Sequence, residues 1–430
     1  MRAGLIGLWR WTAWGGIGLS LYAGWLTADD LRDRASSERD ISAACGGLVS
    51  GAAVMDLQGG MVRAKASDYD EYRIDSRELH SSCTVYKVPG PGKTTSLFTL
   101  VVRRSDASEP MNWIGDDSGL EPFYDTDDTD DTDDTDDTDD TDDTDDTENG
   151  EKDDVTAVAD RRPEAWPVGD GTLGRYGDWY TTVRAACGPG SRTTAPELLN
   201  VTARADYDDV SAADRERLAR IARTAAEAAA DRIGCKTSLA ALPGRRLASV
   251  PITLRPAKTA GGSCSWFAAH LTQQGQDRLP DRALAIPLRN ANPLEGCLLA
   301  VGPDQVGRIA DELNDDQRDY ARSALTHSPW WLRTASYFGP EAHTVGYEAL
   351  GAQDAIIKAG TAGHADGAWW ASSVCDGKPA LHTLSSSYTY DDILGSRRLN
   401  TLFRAYVDDI TKRRGCTDVT YPDAKDFRSL

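Results

Sequence analysis

The sequence predicts an α+β protein, with an N-terminal transmembrane helix followed by two related domains, each with a small antiparallel sheet packed against a C-terminal helix. Three observations carry this expectation. An uncharged apolar run opens the chain, eight cysteines follow it, and the second half of the sequence repeats the first.

The apolar run is Trp11 to Ala28, without a charge anywhere in it, flanked by Arg2 and Arg10 before it and Asp29 and Asp30 after it. As a helix, a run of about 18 residues just crosses a hydrocarbon core. Arginines on its N-terminal side favour keeping that end in the cytoplasm, which puts the rest of the chain outside. The alternative is a cleaved secretory signal, but Leu26 stands where a small residue is preferred, so an uncleaved anchor is favoured. A chain of 430 residues exceeds what one core usually organises. The expected layout is a cytoplasmic end at 1–10, an anchor at 11–28, a first extracytoplasmic domain at 41–240 with an acidic insert at 124–160, a linker at 241–258 and a second extracytoplasmic domain at 259–424. The membrane is the expected partner through the first helix, with an envelope protein as a further one.

The net charge is -21, but a tract at 125–147, DTDD repeated in triplets, holds 15 aspartates, and without them the balance is only -6. No basic field remains to displace counterions from phosphates, so nucleic acid is excluded as a partner. The tract offers no apolar residue to bury and is expected to be extended. It lacks the glycine bend and convergent ligand spacing of a calcium loop, so any cation binding should be weak and diffuse.

Cysteines stand at Cys45, Cys83, Cys187, Cys235, Cys264, Cys297, Cys375 and Cys416. An even number in a chain sent out of the cytoplasm reads as four disulfides, and no C-x-x-C pair suggests zinc or redox chemistry. The pairing follows from the repeat. The segment ending Arg232-Ile233-Gly234-Cys235 matches the one ending Arg413-Arg414-Gly415-Cys416, with Leu218 opposite Leu399 and Ile221 opposite Leu402. Tyr207-Asp208-Asp209 matches Tyr390-Asp391-Asp392, and Gly177 to Tyr180 before Cys187 resembles Gly367 to Trp370 before Cys375. Tandem duplication therefore pairs Cys187 with Cys235 and Cys375 with Cys416, and elimination with proximity pairs Cys45 with Cys83 and Cys264 with Cys297.

Within each repeat, Leu399, Leu402, Phe403, Tyr406, Val407 and Ile410 form one helical stripe, Ser211 with Asp214 reads as a helix start, and Gly234 and Gly415 as left-handed helix stops. The following cysteine is expected to return to a strand beginning near Cys187 or Cys375. Cys83 to Val88 and Ser96 to Val102 read as a hairpin around PGPGKTT, and Leu198 to Ala203 and Leu381 to Leu384 as further strands.

The CGGLV pattern at Cys45, the Cys83-Thr84-Val85 strand and the terminal helices ending Gly-Cys resemble membrane-anchored extracytoplasmic proteins of actinomycetes (streptomycete-like) that carry duplicated two-disulfide α+β domains of unknown function. That resemblance implies a place outside the membrane and no reaction.

No catalytic, cofactor-binding or metal-binding residue is assigned. GPGKTTS, Gly90 to Ser96, has Lys87 where a phosphate loop needs a glycine and lies between two strands. The histidines, His80, His270, His327, His343, His364 and His382, are scattered, and neither an HExxH nor a G-x-S-x-G pattern occurs. The paired aspartates read as helix-start residues and the pairs Trp330-Trp331, Trp369-Trp370 and Trp179-Tyr180 as core. Asn200-Val201-Thr202 fits a glycosylation acceptor but falls in an expected strand. The expected function is non-catalytic binding or scaffolding at the envelope. A hydrolase would require a site assembled from distant residues, signalled by His382 or His364 meeting a serine and an acid in a deep pocket.

Overall fold

The computed structural model describes residues 32–60, 63–67, 73–74, 81–88, 95–107, 110–114, 154–159, 164–347, 355–365, 367–387 and 389–427. The apolar run at 11–28, the acidic tract, the hairpin turn at 89–94 and His80 lie outside them. Among the described residues no helix is long and apolar enough to cross a membrane.

In the first half the strands are β1 (Ala64–Ala66), β2 (Ser81–Lys87), β3 (Thr95–Arg104), β4 (Asn112–Ile114), β5 (Trp166–Pro167), β6 (Gly174–Tyr176), β7 (Tyr180–Ala186) and β8 (Leu198–Ala205). All but β4 form one antiparallel sheet in the order β1-β2-β3-β8-β7-β6-β5. Alternation along the strands sends Phe98, Leu100, Val102, Val201 and Ala203 to one face, where they form a core with Leu218, Ala222, Ala225 and Ala229 of the long helix Ala212–Ile233. Two shorter helices, at 32–44 and Gly51–Met55, precede it and are numbered α1 and α2, making the long helix α3. Ser211 Oγ accepts from the Asp214 N–H at 3.1 Å and Gly234 closes α3 at φ 74°, as the sequence predicts.

The second half contains β9 (Arg255–Pro256), β10 (Arg282–Ala285), β11 (Leu294–Ala300), β12 (Trp331–Phe338), β13 (Val345–Tyr347), β14 (Ala355–Ile356), β15 (Gly363–Ala365), β16 (Ala368–Cys375), β17 (Lys378–Ser386) and β18 (Thr417–Thr420). Its main sheet runs β15-β16-β17-β12-β11-β10-β9, with β18 added beside β16. Its helices are α4 (Ser265–Gln274), α5 (Pro303–Ala310), α6 (Asp315–Thr326), α7 (Tyr390–Leu394) and α8 (Ser396–Arg414). The whole expected stripe of α8, Leu399 to Ile410, is buried against this sheet.

Duplication is visible in the topology, since the order β2-β3-β8-β7 recurs as β11-β12-β17-β16. The disulfides Cys45–Cys83, Cys187–Cys235, Cys264–Cys297 and Cys375–Cys416 are the four expected pairs, and no described cysteine is free. Three details differ from expectation. The sheets, at seven and eight strands, are not small. Cys187 and Cys375 stand where β7 and β16 end, not where a strand begins, so each staple ties the end of a strand to the chain just past the helix laid over it. The stretch 241–258 is no free tether, because Leu247 and Val250 are buried in the first core and Arg215 donates to the Leu247 carbonyl at 3.4 Å.

The halves also interlock. β4 leaves the first sheet and pairs in parallel with β13, putting Ile114 into a cluster with Ala335, Tyr337 and Trp370 on the face of the second sheet opposite its helices. Beyond the acidic tract the chain returns to that same face, where Val158 and Ala159 pack on Leu284, Leu298 and Trp331. Asp154 receives Arg282 Nη1 at 3.0 Å, and Glu164 receives Arg333 Nε at 3.0 Å. Glu164 is 1 % exposed and fits because Gly296 lies beneath it, where a Cβ would come within 2.3 Å of its carboxylate. Burial acts to lower the Arg333 pKa, but the Glu164 carboxylate outweighs it and holds the guanidinium charged.

Candidate functional site

Of the residues that would signal an enzyme, His382 comes nearest. β12 and β17 pair with Ser336 opposite His382. His382 Nδ1 lies 2.7 Å from Ser336 Oγ and Nε2 lies 2.9 Å from Ser373 Oγ, while Ser336 Oγ also meets the Tyr406 hydroxyl of α8 at 2.6 Å. His382 and Ser336 are 0 % exposed. Burial pushes His382 down to about 3 and raises Tyr406, so the imidazole is neutral, donating at one nitrogen and accepting at the other. Both ring nitrogens bond to serine hydroxyls. Among the described residues no carboxylate bonds the ring, and with His382, Ser336 and Ser373 all buried the three side chains form a satisfied core network that lacks the acid of a catalytic triad.

The other described histidines do not assemble a site either. His364 stands 3.7 Å from Asp426 and is half-exposed. His327 bonds Ser323 at 2.9 Å and Thr326 at 2.8 Å on the outer face of α6, with a threonine where a triad would need an acid. His343 meets Glu197 at 2.8 Å, and His270 stacks on Phe267, with burial lowering its pKa. Among the described residues no three metal-ligating side chains converge.

The repeated tyrosine-aspartate motif is built into a helix start in the second copy only, since Asp208 and Asp209 of the first copy lie in a bend ahead of α3 and not in its first turn. Tyr390 is buried, stacks on Trp330 at 5.4 Å and donates to the Arg278 carbonyl at 2.8 Å, while Asp391 and Asp392 occupy the first turn of α7. Trp369 stacks on Phe427 at 5.6 Å and Trp370 on Tyr347 at 5.4 Å, both within cores. Asn200 is 8 % exposed in the middle of β8, which closes it to a glycosylating enzyme.

Two concave features among the described residues bear on function. One is a polar seam between the halves, where the first sheet turns away from its helices a face of Thr84, Thr99, Thr182, Asn200 and Thr202. Thr182 and Thr202 bond to each other at 2.9 Å, and Arg184 Nε donates to Glu341 Oε1 of the second half at 2.7 Å. Asn200 and Glu341 line a cavity of about 20 Å³, and Asn200 Oδ1 and Glu341 Oε2 are buried acceptors without a described donor. That volume suits a bridging water and nothing larger.

The other feature is a surface groove of about 280 Å³ between α2 and α3. Val49, Ala53 and Ile221 give it an apolar floor, and Arg217, Arg220, Thr224 and Asp56 give it polar edges. It contains no histidine, cysteine or paired carboxylates. The sequence does hold a faint sign of it, because Arg217, Arg220 and Thr224 share one face of α3 by helical spacing. Its other wall comes from α2 and the residues beside it, far earlier in the chain, and spacing alone does not bring the two together.

The chain matches no protein-family model, no curated protein and no solved structure.

Proposed function

We propose that the chain is a non-catalytic, membrane-anchored extracytoplasmic protein of a bacterial cell envelope that binds or scaffolds other envelope components. The observation that carries this reading is the sealing of His382. The histidine best placed for catalysis is fully buried and meets two serines and, among the described residues, no acid. Four disulfides suit an oxidising space outside the cytoplasm, and the uncharged run at 11–28 behind Arg2 and Arg10 supports a single outward-facing span. The resemblance to actinomycete envelope proteins agrees with that address and adds no activity.

The test has two arms. Protease added to intact spheroplasts should degrade the chain while it remains in the membrane fraction, and protection from protease would refute the outward orientation. A broad panel of ester, amide and glycoside substrates should show no turnover. Turnover abolished by His382→Gln or Ser323→Ala would establish the competing reading, a cell-surface hydrolase.

A further inference from the structure

We infer that the groove between α2 and α3 binds the phosphate of an anionic glycerophospholipid at the outer membrane surface, an inference that rests on the anchored reading above. The local chain path sets the position. Gly51 N–H donates to Ser42 Oγ at 2.9 Å and Arg34 Nη2 donates to Asp56 Oδ1 at 3.2 Å, so α2 runs back along α1 toward its beginning. The Asp56 end of the groove therefore lies at the end of α1 that the apolar run enters.

Charge at the groove selects an anion. Asp56 is paired with Arg34, and Asp214 with Arg217 at 2.8 Å, which leaves Arg220 exposed with no carboxylate in ion-pair range among the described residues. A guanidinium offers paired donors that match the two free oxygens of a phosphodiester, and Thr224 and Ser50 add hydroxyls beside it. Val49 and Ile221, each 6 % exposed, give the adjoining glycerol and first acyl carbons an apolar seat. The volume of about 280 Å³ admits a headgroup and excludes whole acyl chains. Of the two sources of a phosphodiester, membrane lipid and soluble envelope polymer, position at the membrane end of α1 favours lipid.

The experiment titrates dihexanoyl phosphatidylglycerol, a soluble anionic lipid, into the full-length chain in uncharged detergent, read by calorimetry. Saturable binding is expected. Arg220→Gln, which removes an exposed and unpaired charge, and Ala53→Trp, which fills the groove, should each weaken it by about tenfold or more. Dihexanoyl phosphatidylcholine and inorganic phosphate should bind more weakly by about the same factor. Wild-type affinity in both variants, or inorganic phosphate binding as tightly as the lipid, would overturn the proposal. Membrane fractionation separates the two claims. A chain found in the membrane that binds no short-chain lipid refutes the groove alone, and a chain that binds the lipid yet fractionates as soluble refutes the anchor alone.

Discussion

The two halves share a framework and differ in what they insert into it. In the first half residues 88–94 connect β2 to β3, and the long stretch 105–179, which includes the acidic tract, separates β3 from β7. In the second half the corresponding connections are 301–330, which carries α5 and α6, and 339–367. Each copy has lengthened a different loop. The spacing from Cys83 to Cys187 exceeds that from Cys297 to Cys375 by little more than the length of the tract, but this is the net of opposite changes rather than one insertion. Strand order, the covering helix and the cysteine staples stay constant because every core contact depends on them, whereas loop length costs little closure entropy.

The sheets' second faces differ as well. The first sheet turns threonines and Asn200 toward its partner, while the second turns Leu298, Trp331, Tyr337 and Trp370 outward and is covered by Ile114, Val158 and Ala159 of the first half. A repeated fold has become a single body through an asymmetric strap.

The most damaging change to that strap is loss of one member of its buried ion pair. Glu164→Leu leaves Arg333 charged and unpaired in a core and should cost about 3–5 kcal/mol in denaturant unfolding, whereas adding Arg333→Leu should restore most of the loss. Recovery failing in the double variant would mean that the pair is not what holds the strap.

Acid separates the halves next, because of the two described main sheets only the second carries a histidine. His382 titrates near 6.5 unfolded and at about 3 folded, so its contribution is present above pH 6.5 and is lost as pH falls toward 3. The loss should approach ~1 kcal/mol per pH unit within that window. His382→Gln should flatten the dependence there, and an unchanged slope would show that the ring is not neutral and buried.

The staples should behave alike. Replacing Cys187 and Cys235 by alanine, or Cys375 and Cys416, opens loops of 48 and 41 residues, and each replacement should cost about 2–4 kcal/mol with little between the two. A large disparity would show that the repeats have diverged in how they use the same bond.

The smallest effect is expected from deleting 125–147. The nearest described segments on either side, 112–114 and 154–159, are both held against the second half, so melting temperature should move little, corresponding to less than about 1 kcal/mol. A major destabilisation would assign the acidic tract a structural role.

Much of this framework was legible in the sequence. Ser211, Gly234 and Gly415 carry local cap chemistry, the α8 stripe carries helical periodicity, and the duplication resolved which cysteines pair. The strap was not legible. β4 and β13 are too short to show periodicity, and Glu164 meets Arg333 from a distant part of the chain. One clue stood in Trp330 to Phe338, where Arg333 interrupts an otherwise uncharged strand and so required a buried carboxylate. The helices α5 and α6 had signals too, with Pro303 in the first turn of one and Asn314 capping the other. The first half has nothing to align with them, so the repeat that reveals the rest of the framework is silent there. Of the groove only the helical spacing of Arg217, Arg220 and Thr224 was legible, because its walls come from distant segments and neither wall carries a chemical motif.

That two copies of one topology form a single stable body is the central claim, and producing residues 255–427 alone tests it most directly. Without Ile114, Val158, Ala159 and Glu164, the outer face of the second sheet is stripped and Arg333 loses its partner. The expected result is a fragment that aggregates, or that unfolds at a temperature far below that of the full-length chain. A soluble, monomeric fragment melting at the temperature of the full-length chain would contradict the claim and restore two independent domains.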